Sequence, residues 1–195
     1  MPRRLLHSTI IFMNYRRLFV ENAMVFLTIV TQDRMPIIIE HVGALLSAIN
    51  ETKQYYTFEI FAYIFMPDHI HLLLKPENIE KYPKIIHSIK YNFRRILDVG
   101  IAMPTYSALK YSNSVISPQN RKKLFQNRYY EHTIRDENDL YKHLDYIHYN
   151  SVKHLNIAPK DWEYSSFKEF VERGNYELDW CNFNDKHNIM SMNLE

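Results

Sequence analysis

Two histidines separated by a single residue, His69 and His71, stand in the run Tyr63-Ile64-Phe65-Met66-Pro67-Asp68-His69-Ile70-His71-Leu72-Leu73-Leu74. Its last six residues read as a strand, in which side chains alternate between faces, so both imidazoles project from one face and Ile70 and Leu72 from the other. Two imidazoles about 7 Å apart along one face can converge on a single metal ion. The same pattern fits a strand carrying two half-buried neutral histidines, each with its ring N–H on a carbonyl. Pro67 fixes its own φ and breaks any incoming helix, which makes Asp68 the strand entry.

A phenol and a carboxamide lie together further along. Residues Asn138–Leu155 have the period of a helix, opened by the acids Asp136-Glu137-Asn138-Asp139 as cap and first turn. At about 100° per residue, Leu140, Leu144, Ile147 and Leu155 form the stripe that docks the helix. Tyr146 and Asn150 fall one turn apart beside that stripe, Lys153 continues their row, and His143 shares its edge. Taken singly, Tyr146 reads as well as a packing tyrosine and Asn150 as a surface amide.

The elements that position these groups follow from pattern. Val25–Thr31 is β-branched and aromatic and reads as a strand. Pro36–Asn50 has helical spacing, and Tyr55–Ile60, Ala62–Phe65 and Asp68–Leu74 read as strand material joined in a hairpin. Residues 83–98 give a second amphipathic helix with Lys84, Lys90, Arg94 and Arg95 largely off its apolar stripe. Gly100–Asn120, with two prolines and no period, reads as a loop; Leu124–Thr133, preceded by Arg121-Lys122-Lys123, reads as a strand. A short helix around Phe167–Val171 stops near Gly174. The order strand–helix–strand–strand–helix–strand predicts an α+β chain: a ferredoxin-like antiparallel sheet with helices on one face, plus an added C-terminal tyrosine-bearing helix.

Composition narrows the chemistry. The 195 residues and 46% hydrophobic content suit one domain with a real core. Three glycines (Gly43, Gly100, Gly174) leave no Gly-rich phosphate cradle, which argues against nucleotide-dependent kinases and dehydrogenases. One cysteine, Cys181, excludes an internal disulfide and a cysteine-built zinc site and fits a reducing, cytoplasmic setting. No apolar run reaches the roughly 18–20 residues of a membrane helix. A net charge of +2 means that nucleic-acid binding must come from a local patch rather than the whole-molecule field. Residues 1–16 read as a flexible N-terminal extension and 181–195 as a polar tail.

Met66-Pro67-Asp68-His69-Ile70-His71-Leu72-Leu73-Leu74 closely resembles the His-hydrophobic-His motif of single-tyrosine HUH transposases. Leu144-Asp145-Tyr146-Ile147-His148-Tyr149-Asn150-Ser151-Val152-Lys153 is similar to their tyrosine helix, above all in the REP-associated branch, whose pattern is Tyr-Ile-x-x-Asn-Pro-Val-(Lys/Arg). Glu131-His132-Thr133-Ile134-Arg135-Asp136-Glu137, Trp162-Glu163-Tyr164-Ser165-Ser166, Arg17–Pro36 and Ser88-Ile89-Lys90 resemble its other segments. The resemblance spans roughly residues 17–180. One departure is Ser151, where the family has proline; serine lets the helix run another turn and leaves its end open.

The resemblance implies a catalytic domain over 17–180 that nicks single-stranded DNA and transfers strands, acting in the nucleoid at hairpin-flanked sites. In that reading His69, His71 and Asn150 hold one divalent ion, and Tyr146 attacks phosphorus to leave a 5′-phosphotyrosine and a free 3′-hydroxyl. Two imidazoles suit Mn²⁺ better than Mg²⁺ on ligand softness, whereas the family implies Mg²⁺, so both are expected. Lys84, Lys90, Arg94, Arg95, Arg121, Lys122 and Lys123 are candidate DNA-backbone contacts, and Tyr129 and Tyr130 candidate base-stacking residues. A monomer and a homodimer with tyrosines exchanged between chains are both open. Two other functions fit the same residues: a DNA-hairpin-binding module without chemistry, and a metal phosphoesterase that uses water, with Asp68 beside the histidine pair.

Overall fold

The computed structural model describes residues 18–102 and 123–181; the expected N-terminal extension, most of the expected 100–120 loop, Arg121 and Lys122, and residues 182–195 lie outside these. Four antiparallel strands form one sheet in the order β2-β3-β1-β4: β1 Val25–Val30, β2 Phe58–Phe65, β3 His69–Pro76 and β4 Tyr130–Thr133. Helix α1 (Val42–Lys53) connects β1 to β2, and α2 (Tyr82–Ala102) connects β3 to β4, which gives the ferredoxin-like topology expected. Helix α3 (Glu137–Leu155) and the short α4 (Phe167–Glu172) follow.

Alternation along the strands separates two cores. Val25, Leu27 and Ile29 of β1 and Ile70, Leu72 and Leu74 of β3 face α1 and α2, packing on Leu45, Ala48, Ile85, Ile86, Ile89 and Phe93. The intervening residues face the other way, where Phe26, Ala62, Ile64 and Leu73 meet Leu144, Tyr146 and Ile147 of α3 and Phe170 of α4. The tyrosine-bearing helix is therefore the lid on the second face of the sheet. Strand β3 is covered on both sides, so six consecutive residues, His69 to Leu74, are buried whichever face they point to.

Several element boundaries differ from expectation, three of them by more than a turn or by a change of element. Helix α1 begins at Val42 rather than Pro36, because Ile38 is fully buried and its N–H donates to the Pro67 carbonyl at 3.0 Å, tying residues 36–41 to the loop before β3. Strand β4 starts at Tyr130 rather than Leu124; of the earlier residues, Phe125 makes only an isolated bridge to Thr31. Helix α2 continues through Gly100 to Ala102, where a loop was expected. Strand β2 carries a register shift between Ile60 and Ala62.

The edge of β2 is closed by the Trp162–Ser166 segment. Phe65 N–H donates to the Tyr164 carbonyl at 2.8 Å, Ser166 N–H to the Tyr63 carbonyl at 3.0 Å, and the Trp162 indole N–H to the Phe65 carbonyl at 3.0 Å. These bonds satisfy backbone groups that would otherwise be an open pairing edge.

Candidate active site

Cross-strand register builds the floor of the site. His71 pairs with Thr28 on β1 and with Ile64 on β2, so His69, His71, Thr28 and Phe26 all point toward α3. Both histidines are buried, at 1% and 0% exposure, with ring centroids 4.9 Å apart. The Nδ1 atom of His71 lies 2.9 Å from Thr28 Oγ1, and Nδ1 of His69 lies 2.7 Å from Asp68 Oδ1. A carboxylate behind a ring nitrogen fixes the tautomer and leaves the other nitrogen's lone pair available. The Asp68 carboxyl is held well below the usual range, to about 2, by its hydrogen bond with His69 and then by Arg34, whose guanidinium is 3.1 Å away.

Helix α3 supplies the roof. Asp136 caps it, accepting from Asp139 N–H at 2.8 Å, and the helix continues past Ser151 to Leu155, one turn beyond where a proline would disturb it. Asn156 then takes a left-handed conformation (φ 56°), and the Ile157 N–H returns to the Ser151 carbonyl at 3.2 Å, the closure typical of a helix C-terminus. The row Tyr146–Asn150 is fully inside, at 1% and 0% exposure, rather than flanking the buried stripe. The Tyr146 ring lies edge-on to His71 with centroids 5.2 Å apart, and Lys153 Nζ donates to the Tyr146 hydroxyl at 3.2 Å. His154, one turn after Asn150, sets its ring 5.0 Å from that of His69.

The donor set passes a test for a cation. Asn150 Oδ1 lies 3.0 Å from His69 Nε2, while Asn150 Nδ2 is buried with no hydrogen-bond partner. The Asn150 amide oxygen and His69 Nε2 thus face each other at the centre of the site, with Asp68 at the Nδ1 side of the ring. A ring nitrogen and a carbonyl oxygen about 3 Å apart match the spacing of two ligands on one divalent ion with bonds of about 2.0–2.2 Å. With the His71 ring 4.9 Å from that of His69, the donor types gathered here, two imidazoles and a carbonyl oxygen, suit a divalent cation.

The candidate DNA contacts fall elsewhere. Helix α2 covers the opposite face of the sheet from α3, and its cations are engaged: Arg94 with Asp98 at 3.3 Å, Arg95 with Glu51, and Lys90 Nζ with the Gln126 carbonyl at 2.6 Å. Burial lowers the Lys90 pKa. Lys84 lines a shallow groove with Tyr56, His87 and Tyr91, and Lys123 is exposed. Tyr129 packs near the Lys90 ammonium, and Tyr130 meets the edge of Phe26 at 6.2 Å. The structure thus joins His69, His71, Tyr146 and Asn150 and leaves the α2 cations apart from them.

Sequence reasoning passed over Arg34 and a second polar cluster. Arg34 reaches Asp68 from a turn in which both Asp33 (φ 54°) and Arg34 (φ 51°) are left-handed, a conformation that aspartate tolerates but that nothing in the arginine signals. His132, Asp139 and His143 bring three ligand atoms within 4.8 Å of one another, the one such His/Cys/Asp/Glu group among the described residues. The available signal was the i, i+4 spacing of Asp139 and His143 on one helix.

Comparison with known proteins agrees with this geometry. The family model for IS200-like transposases matches residues 19–150. A chain from Haemophilus influenzae named as a REP-associated tyrosine transposase is 41% identical over 170 residues, covering 86% of this chain and 92% of that one. The REP-associated tyrosine transposase of Escherichia coli is 28% identical over 170 residues, covering 86% and 90%. A solved REP-associated tyrosine transposase bound to a REP hairpin superimposes with a TM-score of 0.70 at 28% identity, covering 86% of this chain and 90% of that one. No helix among the described residues is long and apolar enough to cross a membrane. With a His-x-His strand under a tyrosine helix on a ferredoxin-like sheet, the chain belongs to the IS200-like transposase family and resembles its REP-associated tyrosine transposases.

Proposed function

We propose that residues 17–180 form a catalytic domain that cuts and rejoins single-stranded DNA beside hairpins, through a covalent 5′-phosphotyrosine at Tyr146. The observation that carries this reading is the meeting of Tyr146 with His71, and of Asn150 with His69, across 75 and 81 residues of chain respectively. A hairpin-binding module without chemistry has no need of a buried phenol beside this donor set. That a structural relative binds a REP hairpin supports hairpin DNA as the partner, and an enzyme acting on such DNA would work in the nucleoid.

His69, His71 and Asn150 would hold a divalent ion, Mg²⁺ or Mn²⁺, which when bound supplies Lewis-acid polarisation of the scissile phosphate. Asp68 fixes the His69 ring by accepting its Nδ1 proton, and Thr28 fixes His71 in the same way. The Tyr146 oxygen attacks phosphorus; the P–O3′ bond breaks, and the phenol proton ends on the departing 3′ oxygen. The phosphodiester energy is kept in the tyrosyl ester, so a later 3′-hydroxyl reverses the step without ATP. Lys153, donating to the phenol oxygen, orients it.

The test is incubation with hairpin-bearing single-stranded DNA and Mn²⁺, followed by a denaturing gel. A protein–DNA adduct that disappears in Tyr146→Phe and in His69→Ala supports the reading. An adduct in the phenylalanine variant would sink the nucleophile assignment, and a free 5′-phosphate with no adduct would make water the nucleophile.

A further inference from the structure

One strand away from the candidate active site lies a polar cluster that the cutting reaction does not use. His132, on β4, pairs in register with Phe26 and points toward α3. Asp139 is in the first turn of α3, and His143 is one turn further on. His132 Nε2 is 2.8 Å from Asp139 Oδ2, and His143 Nδ1 is 3.2 Å from Asp139 Oδ1 and 2.7 Å from the Asp139 carbonyl. The two imidazoles are nearly parallel, 14° apart with centroids at 4.6 Å. His143 is only 3% exposed, and its Nε2 is buried with no hydrogen-bond partner.

We infer that His132, Asp139 and His143 form a second divalent-cation site, distinct from the His69–His71 pair and suited to a zinc-class transition metal. His143 Nδ1 donates to the Asp139 carbonyl, so its buried Nε2 is the nitrogen left to join His132 and the Asp139 carboxylate in a three-ligand set with a position for water. Nitrogen-rich donors of this kind select Zn²⁺ or Co²⁺ over Mg²⁺. A lone ion pair would need one histidine; a carboxylate flanked by two, one with an orphaned nitrogen, has more donors than pairing uses.

The site is separated from the first by one ring. Phe26 stacks on His71 at 5.5 Å and tilts against His143 at 4.8 Å. An ion here would clamp the first turn of the tyrosine helix to β4, the outermost strand, and would hold the helix without touching DNA. Its role is positional, and it stands whether or not Tyr146 is the nucleophile.

The experiment uses the full chain without an affinity tag, titrated with Co²⁺ and followed by its visible absorption. The His69→Ala/His71→Ala variant is expected to retain Co²⁺ uptake, displaceable by Zn²⁺. Adding His132→Gln, or separately His143→Gln, is expected to weaken uptake about 10- to 100-fold. Should the alanine pair disturb the fold, the parent and the single His132→Gln variant give the same comparison, with one ion fewer per chain in the variant. Thermal melting supplies a second readout: saturating Zn²⁺ raises the midpoint of His69→Ala/His71→Ala, and adding His132→Gln shrinks that rise. Absence of uptake in the alanine pair, with one ion per chain in the parent irrespective of His132→Gln, would overturn the inference. Uptake insensitive to both glutamine variants would do so too.

Discussion

The histidine nearest the roof of the site depends on a residue that would bind no ion itself. Asp68 holds the His69 ring through Nδ1, and Arg34 holds Asp68 in turn. Asp68→Asn leaves the backbone intact but removes the carboxylate that fixes the tautomer, and such changes cost about 10- to 100-fold in metal affinity. Mn²⁺ titration followed by electron paramagnetic resonance would read that loss; unchanged affinity would assign Asp68 to strand entry alone. Lys153 makes a separate prediction, since its ammonium lies 3.2 Å from the Tyr146 oxygen, where negative charge grows as the proton leaves. Lys153→Met is expected to slow adduct formation about 100-fold, the scale of losing one preorganised donor, with DNA affinity much less affected. Single-turnover gels against a binding assay separate the two effects. At this scale the shared face of His69 and His71, and that of Tyr146 and Asn150, were legible from spacings of two along a strand and four along a helix; that the two pairs belong together came from the family resemblance, not from spacing. Arg34 was not legible, since its reach depends on two left-handed backbone residues, neither of them glycine.

Helices and strands were legible in proportion to how local their causes are. Helix α3 was read to within a residue at both ends, because its cap Asp136 and its apolar period are properties of the segment itself. Asp136→Ala removes the bond to Asp139 N–H and should cost about 1 kcal/mol, measurable as a shift in denaturant midpoint without change in slope. The start of α1 was misplaced because residues 36–41 answer to a distant partner, the Pro67 carbonyl, and not to their own periodicity. Strand β4 was read too long for a related reason: Leu124–Arg128 has strand-like composition, but Lys90 and Thr31 draw its backbone into separate contacts. Burial of Tyr146 and Asn150 also escaped the period, since that row packs against His71, Phe26 and His69 of the sheet, partners far away in sequence.

Across the molecule, charge and burial divide by face. The α2 cations pair with neighbouring acids and carbonyls on one side, while the buried imidazoles gather on the other. His148 illustrates the second group: it is fully buried among Phe167, Phe170 and Tyr176, and its Nε2 lies 3.0 Å from Ser166 Oγ. Burial pushes its pKa down to about 3. The unfolded chain, titrating near 6.5, takes up a proton that the folded chain refuses, so this contribution is complete above about pH 6.5 and is lost as pH falls toward the folded value. About 2 kcal/mol should be gone by about pH 5, and His148→Gln should remove that share of the acid slope. Denaturation at about pH 7.5 and about pH 5 for both proteins checks it; parallel slopes would count against His148 as the origin.

The Tyr146 hydroxyl rests inside, under Lys153, on a residue only 1% exposed. If Tyr146 is the nucleophile, as proposed, a passing strand meets no exposed phenol, and cutting speed becomes the product of the fraction of molecules presenting it and the rate once it is presented. A DNA that binds the presenting and resting forms equally cannot raise that fraction, however tightly it holds. Two DNAs of equal affinity are then expected to be cut at different speeds when only one favours presentation, so affinity alone is a poor guide to which sequences are opened.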